Sequence, residues 1–210
     1  MKITCKKCRR LGVSVCGKLK CALSRKPYPP GKTPSLSKGG GARRFGAPMS
    51  DYGRQLREKQ IIKHTYGLRE RQFKNYVLKA VSSKKSGADS LVELLESRLD
   101  NVVFRLGFAG SRRMARQLIS HGHILIGGRK ISIPSYRVKV GETVSLKPQS
   151  RPKGFMRDFD TVIKKYKAPE WLNLDKESVS GLITARPTAD LAGLHNDQLS
   201  VNSVIEFYSR

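Results

Sequence analysis

Acidic residues are missing from the first 50 positions, which hold 13 lysines and arginines and not one aspartate or glutamate. Aromatic residues are scarce at 7%, with a single tryptophan, and cysteine disappears after position 21. No apolar run approaches the roughly 20 residues that span a bilayer. The opening Met1-Lys-Ile-Thr-Cys-Lys6 lacks an apolar signal core, so a soluble intracellular chain without a membrane partner is expected. Also absent are a Ser/His/Asp set, a phosphate-cradling Gly-Lys-Ser/Thr loop and a paired-carboxylate cleft, which argues against an enzyme. Hydrophobic residues make up 38% of 210, below the usual globular share. One or two small domains with a modest core, flanked by arm or loop, fit that composition.

What is abundant is positive charge: 42 lysines and arginines against 16 acids, a formal net charge of +26. Residues 51–147 carry 20 bases against 8 acids and residues 148–170 carry 6 against 3, while residues 171–210 reverse the sign with 3 against 5. A free chain of this density repels itself, and a polyanion is the usual compensation. Membrane-surface helices segregate bases from bulky apolar residues. Here the bases run through arms, loops and helix faces alike, which suits a folded nucleic-acid backbone.

All four cysteines fall in Cys5-Lys-Lys-Cys8, Cys16 and Cys21. Two close pairs across a short loop can set four thiolates around one tetrahedral zinc, and Lys6, Lys7, Arg9 and Arg10 help lower the thiol pKa values. The segment has few apolar residues, so a structural Zn2+ would supply the ordering energy. Disulfides and four free thiols in an arm are the alternatives.

Residues 22–50, with Lys26-Pro-Tyr-Pro-Pro-Gly31 and Gly39-Gly-Gly-Ala-Arg-Arg44, read as an arm laid on a surface. Ser50-Asp51 predicts the cap of a helix over 51–66 that Gly67 ends, and a second helix follows over 69–82. Leu91, Leu94, Leu95, Val102, Val103 and Leu106 form one continuous apolar stripe, and Ser111 caps a further helix over 111–121. On that helix Arg112, Arg113 and Arg116 stand apart from Met114, Ala115, Leu118 and Ile119, making a ridge that can grip phosphates bidentately. Ile124 and Ile126 then alternate, Gly127-Gly128 predicts a two-residue hairpin returning through Lys130 to Ile133, and a strand is expected from Tyr136 to Leu146. Residues 157–167 read as helical, Trp171 to Leu174 as strand, and Val204 to Tyr208 as an apolar tail that docks. The expected fold class is α+β: an N-terminal zinc-binding arm, a helical domain and a helix–hairpin module with a small antiparallel sheet.

Arg98-Leu-Asp-Asn-Val-Val-Phe-Arg-Leu-Gly107, Ser111-Arg-Arg-Met-Ala-Arg-Gln-Leu-Ile-Ser-His-Gly-His123 and Gly127-Gly-Arg-Lys-Ile131 resemble an RNA-binding module named after the fourth protein of the small ribosomal subunit. Arg25-Lys-Pro-Tyr-Pro-Pro-Gly31, Ser50-Asp-Tyr-Gly-Arg-Gln-Leu-Arg-Glu-Lys-Gln60, Tyr66-Gly-Leu-Arg-Glu-Arg-Gln-Phe73, Trp171-Leu and Ile205-Glu-Phe-Tyr-Ser-Arg210 resemble that family in its bacterial-type, four-cysteine form. The resemblance implies a cytoplasmic, non-enzymatic constituent of the ribosome (an organellar location stays open). Such a protein binds small-subunit ribosomal RNA, nucleates assembly, lines the channel by which messenger RNA enters and touches the fifth small-subunit protein, an interface linked to decoding accuracy. It divides the chain into a basic zinc-binding arm and extended loop at 1–50, a helical domain at 51–90 with 195–210, and an RNA-binding domain at 91–194 whose core module is 98–147.

Expected RNA contacts in the module are Arg98, Arg105, Ser111, Arg112, Arg113, Arg116, Arg129 and Lys130. His121 and His123 either join them or cap the helix. Arg54, Arg57, Lys59, Arg69, Arg71 and Lys74 are expected contacts on the helical part. Arg43 and Arg44 resemble the family's messenger-facing bases. Two rivals share the module: a free-standing RNA-binding regulator and an RNA-modifying enzyme such as a pseudouridine synthase. Arg98-Leu-Asp100 echoes that enzyme's catalytic tripeptide, but no separate catalytic domain fits, and a cap or an ion pair with a nearby arginine is the simpler role for Asp100.

Overall fold

The computed structural model describes residues 5–17, 20–31, 49–83, 86–150, 163, 166–188 and 200–209. Arg43, Arg44 and most of the helix expected over 157–167 lie outside the described residues. The helices are α1 (Cys5–Leu11), α2 (Ala22–Arg25), α3 (Asp51–Thr65), α4 (Glu70–Val81), α5 (Gly87–Glu96), α6 (Leu99–Arg105), α7 (Arg112–Ser120) and α8 (Val201–Ser209). The strands are β1 (Ile124–Ile126), β2 (Arg129–Lys130), β3 (Thr143–Leu146), β4 (Leu172–Asp175) and β5 (Ser180–Ile183). The chain forms two compact units, Met1–Lys74 with Leu199–Arg210, and Asn75–Gln198.

In the first unit the Ser50 hydroxyl accepts from the Gly53 amide at 3.2 Å, which caps α3 as its sequence suggests. Leu68 donates back to the Lys63 carbonyl at 3.0 Å and closes the helix beyond Gly67. The C-terminal residues dock as a helix, which the Ser200 hydroxyl caps by accepting from the Ser203 amide at 3.3 Å. α8 packs along α3. Gln55 Nε2 donates to Glu206 at 3.1 Å, and the Tyr52 and Phe207 rings lie 5.6 Å apart.

The second unit has its core between α6, α7 and an antiparallel sheet of order β2-β1-β3-β5-β4. Gly127 and Gly128 both have positive φ, 53° and 79°, as a tight hairpin between β1 and β2 requires. The stripe from 88 to 106 is not one helix. At Arg98 the backbone turns extended, and this junction pairs with the segment at 134–138: Val138 donates to the Ser97 carbonyl at 2.9 Å and Leu99 to the Tyr136 carbonyl at 2.8 Å. That pairing also accounts for the expected strand from Tyr136 shrinking to β3, since the bonds of 134–138 go to the helix junction instead of the sheet. β5 is an addition. It pairs with β3 and β4, and Gly181 permits this because a Cβ there would overlap the Leu106 side chain. Among the described residues no helix is long and apolar enough to cross a membrane.

Candidate nucleic-acid interface and cysteine centre

Two buried acids organise the arginines of α6 and α7. Asp100, 1% exposed, accepts from Arg98 Nε at 3.1 Å and Nη2 at 2.8 Å, and from Arg116 Nε at 2.6 Å. Glu96, fully buried, accepts from Arg105 Nε at 3.1 Å and Nη2 at 2.9 Å and from Asn101 Nδ2 at 2.7 Å. Asn101 in turn accepts from Arg112 Nε at 2.7 Å, and the Arg112 guanidinium lies 4.5 Å from the Phe104 ring centre. Side-chain hydrogen bonds to ionised groups in a low-dielectric interior are stronger than neutral ones, so each arginine has a fixed origin.

Arg98 itself is 3% exposed, and its Nη1 donates to Tyr76 Oη at 2.6 Å. Burial works against its charge, but the hydrogen bonds and negative charge of Asp100 outweigh that and hold its pKa above the ordinary value. Its side chain faces the protein. Arg113, Arg129, Lys130 and His121 are exposed, whereas Arg105, Arg112 and Arg116 are half-buried. The Ser111 hydroxyl accepts from the Met114 amide at 3.3 Å and caps α7. His123 Nδ1 lies 2.8 Å from Ser150 Oγ, and the His121 and His123 rings are 6.1 Å apart. With Met114, Gln117 and Leu118 they line a small cavity of about 270 Å³.

In the first unit, Arg69, Arg71 and Lys74 are exposed. Arg54 is exposed too, paired with Asp51 at 2.7 Å. Arg57 and Lys59 are occupied inside the unit. Arg57 donates through Nε and Nη2 to the Leu11 carbonyl at 3.1 and 2.9 Å. Lys59 and Lys63 reach Glu70 at 2.8 and 2.6 Å, and Lys59 also lies 4.5 Å from the Phe207 ring centre. Burial raises the Glu70 pKa, but the hydrogen bonds from Lys59, Lys63 and Tyr208 dominate and bring it down to about 2.

All four cysteines are free thiols. The sulfurs of Cys5, Cys16 and Cys21 lie within 4.8 Å of one another. Cys8 is fully buried and interacts with Cys16 and Cys21. Its thiol is pushed up to about 12, by burial first and then by those two neighbours. Burial also raises Cys21, but hydrogen bonds from the Leu23 amide, Ser14, Cys16 and Cys8 prevail and bring it to about 7. Val15 and Ile61 pack against Cys8 and Cys21.

Residues 2–96 match the Ribosomal protein S4/S9 N-terminal domain, and residues 97–144 match the S4 domain. The small ribosomal subunit protein uS4 of Chloroflexus aurantiacus is 46% identical over 208 residues, covering 96% of this chain and 94% of the relative. This chain belongs to the uS4 family. The uS4 of Thermus thermophilus is 45% identical over 213 residues, with 98% and 96% covered, and that of Chlorobium limicola 40% over 203 residues, with 96% and 94% covered. In this uS4-family chain the two matched regions meet at residues 96 and 97, where α5 ends just before the extended Arg98. The sequence reading did not single out Glu96 or Asn101, and nothing local marks them. Their spacing to Arg105 and Arg112, nine and eleven residues, is set by the break between α5 and α6.

Proposed function

We propose that this chain is a structural, non-enzymatic constituent of the small ribosomal subunit that recognises folded ribosomal RNA through an arginine ridge held from beneath by buried acids. The observation that carries this reading is the lattice of Asp100, Glu96 and Asn101. These groups take up the Nε edges of Arg116, Arg105 and Arg112, so the guanidinium positions are set before RNA arrives. Folded RNA presents converging phosphates whose spacing such a rigid array can match, while a flexible basic surface cannot discriminate shape. Arg113, Arg129, Lys130 and His121 extend the contact from α7 onto the hairpin, and Arg69, Arg71 and Lys74 supply a second cationic patch. In this reading Arg98, Arg57 and Lys59 act as supports for neighbouring structure rather than as direct contacts.

Further roles follow by family relationship. The chain nucleates subunit assembly, contributes to the channel by which messenger RNA enters, with Arg43 and Arg44 facing it, touches the fifth small-subunit protein and influences decoding accuracy. The arm at 1–50, the helical part at 51–90 with 195–210 and the RNA-binding domain at 91–194 divide this work. Cys5, Cys8, Cys16 and Cys21 fit a structural zinc ion: four sulfur donors without a disulfide, three of them already converged and the fourth in contact with two of these. Bound zinc supplies ordering energy to a segment with a very small core. Crosslinking the protein within the intact subunit and identifying the linked nucleotides tests the assignment. Links from α7 and the hairpin to ribosomal RNA are expected, and links confined to messenger RNA or to protein would overturn it.

A further inference from the structure

Arg9 follows Cys8 on α1, and its guanidinium grips the chain just beyond α2. Nε donates to the Lys26 carbonyl at 3.1 Å and to the Tyr28 carbonyl at 2.9 Å, and Nη2 to the Pro29 carbonyl at 3.4 Å. The guanidinium also lies 4.7 Å from the Tyr28 ring centre. The gripped segment, Lys26-Pro-Tyr-Pro-Pro-Gly31, has prolines at 27, 29 and 30. Proline has no backbone N–H, so this segment offers acceptors without matching donors, and a side chain that only donates suits it.

The same two helices carry the cysteines. Cys5 begins α1 and Cys21 directly precedes α2, and their sulfurs lie within 4.8 Å of one another. The path from Cys21 to Lys26 is a single hydrogen-bonded turn: Ser24 Oγ donates to the Cys21 carbonyl at 2.8 Å, and the Lys26 amide donates to the Ala22 carbonyl at 2.9 Å. α1 and α2 pack against each other. Two fasteners therefore join the same pair of elements, the thiols near their starts and Arg9 near their ends. Closing either one shortens the loop that the other must close, which lowers its entropy cost. Little else holds the pair, because the buried core there is only Cys8, Val15, Cys21 and Ile61.

We infer that Arg9 couples metal occupancy of the cysteine centre to the placement of segment 26–31, so that metal and clasp close together as one switch. The inference rests on the zinc reading above and assigns Arg9 as a positioning residue, not a ligand. Residues 32–50, with Arg43 and Arg44, follow Gly31 in sequence, so the metal then governs where that basic stretch begins. The rival role for Arg9 is charge alone, acting with Lys6, Lys7 and Arg10 to favour thiolates. That role needs a cation beside the sulfurs but not the three carbonyls.

Zinc affinity of the full chain is measured by competition with a colorimetric chelator. Beside it, mass spectrometry follows the rate at which trypsin cuts after the exposed Arg25, with and without zinc. Zinc is expected to slow that cut about tenfold in the wild type, since cleavage tracks the open population. Arg9→Ala should bind zinc about tenfold more weakly and lose most of the zinc-dependent protection even at saturation. Arg9→Lys keeps the charge but not the planar fork that spans the carbonyls, so it should behave like Arg9→Ala. Tyr28→Leu alters neither a charge nor a thiol and should weaken zinc about threefold. Full zinc affinity in Arg9→Lys beside a loss in Arg9→Ala would overturn the coupling in favour of charge alone. Equal zinc affinity in the wild type and all three variants would also overturn it and leave the zinc reading standing. Failure of the wild-type chain to bind zinc at all would remove the zinc reading itself, and the coupling with it.

Discussion

Replacing Asp100 with asparagine isolates the charge beneath the arginine ridge. The carboxylate is 1% exposed and receives three hydrogen bonds, two from Arg98 and one from Arg116. Asparagine keeps one acceptor oxygen but turns an amide toward two guanidinium groups, and Arg98, 3% exposed, is left as a buried charge without its counter-ion. Removing one member of a buried ion pair costs about 3–5 kcal/mol. With a urea dependence of about 2–3 kcal/mol per M, the lower figure moves the unfolding midpoint down by about 1–1.5 M. Urea denaturation followed by far-UV circular dichroism reads this directly. A companion variant, Arg98→Met with Asp100→Leu, removes both charges together and should recover most of the lost stability, since apolar replacement of a whole buried pair is often neutral. It should still bind RNA more weakly, because Arg116 has lost its anchor. A midpoint for Asp100→Asn within about 0.2 M of wild type would refute the reasoning, as it would mean that the pair contributes little.

Three other outcomes follow from the same structure. The Glu70 pKa of about 2 lies below its ordinary 4.5, so its ion-paired contribution is present above pH 4.5 and lost as pH falls toward 2. Acid titration of Glu70→Gln should show a shallower loss of stability in that window than wild type, and parallel curves would contradict the Lys59–Glu70–Lys63 assignment. Zinc-loaded protein treated with a chelator should release one zinc per chain and lose protease protection around 5–26, and Cys16→Ser should bind zinc more weakly; chelation without effect on protection would exclude a structural metal. Gly181→Ala should lower stability by about 1–3 kcal/mol, because its Cβ overlaps Leu106 and the core must shift, whereas an unchanged thermal midpoint would show that β5 does not press on α6.

Local signals were legible in the sequence. Ser50 and Ser111 cap their helices because a side-chain oxygen needs only the amide three residues on, and Gly127-Gly128 turns because both positions need positive φ. The convergence of the Cys5, Cys16 and Cys21 sulfurs follows from spacing, and the ion-paired role of Asp100 from its neighbours. Non-local features were not legible. The stripe through 88–106 breaks only because residues 134–138 take its hydrogen bonds, and β5 exists only because β3 and β4 flank it. Charge composition located the basic field but not the direction of each side chain. Arg98 turns onto Asp100, Arg57 onto the Leu11 carbonyl and Lys59 onto Glu70, and those partners are fixed by tertiary packing.

Preorganised shape recognition is tested most directly by comparing the salt dependence of binding to folded small-subunit ribosomal RNA with that of binding to unstructured RNA of equal length. If about ten cations neutralise phosphates on the folded RNA, the log–log slope should be about −7 to −9, with tighter binding there than to the unstructured strand at physiological salt. Equal affinity for the two RNAs, or a slope of about −2 on the folded one, would contradict the account.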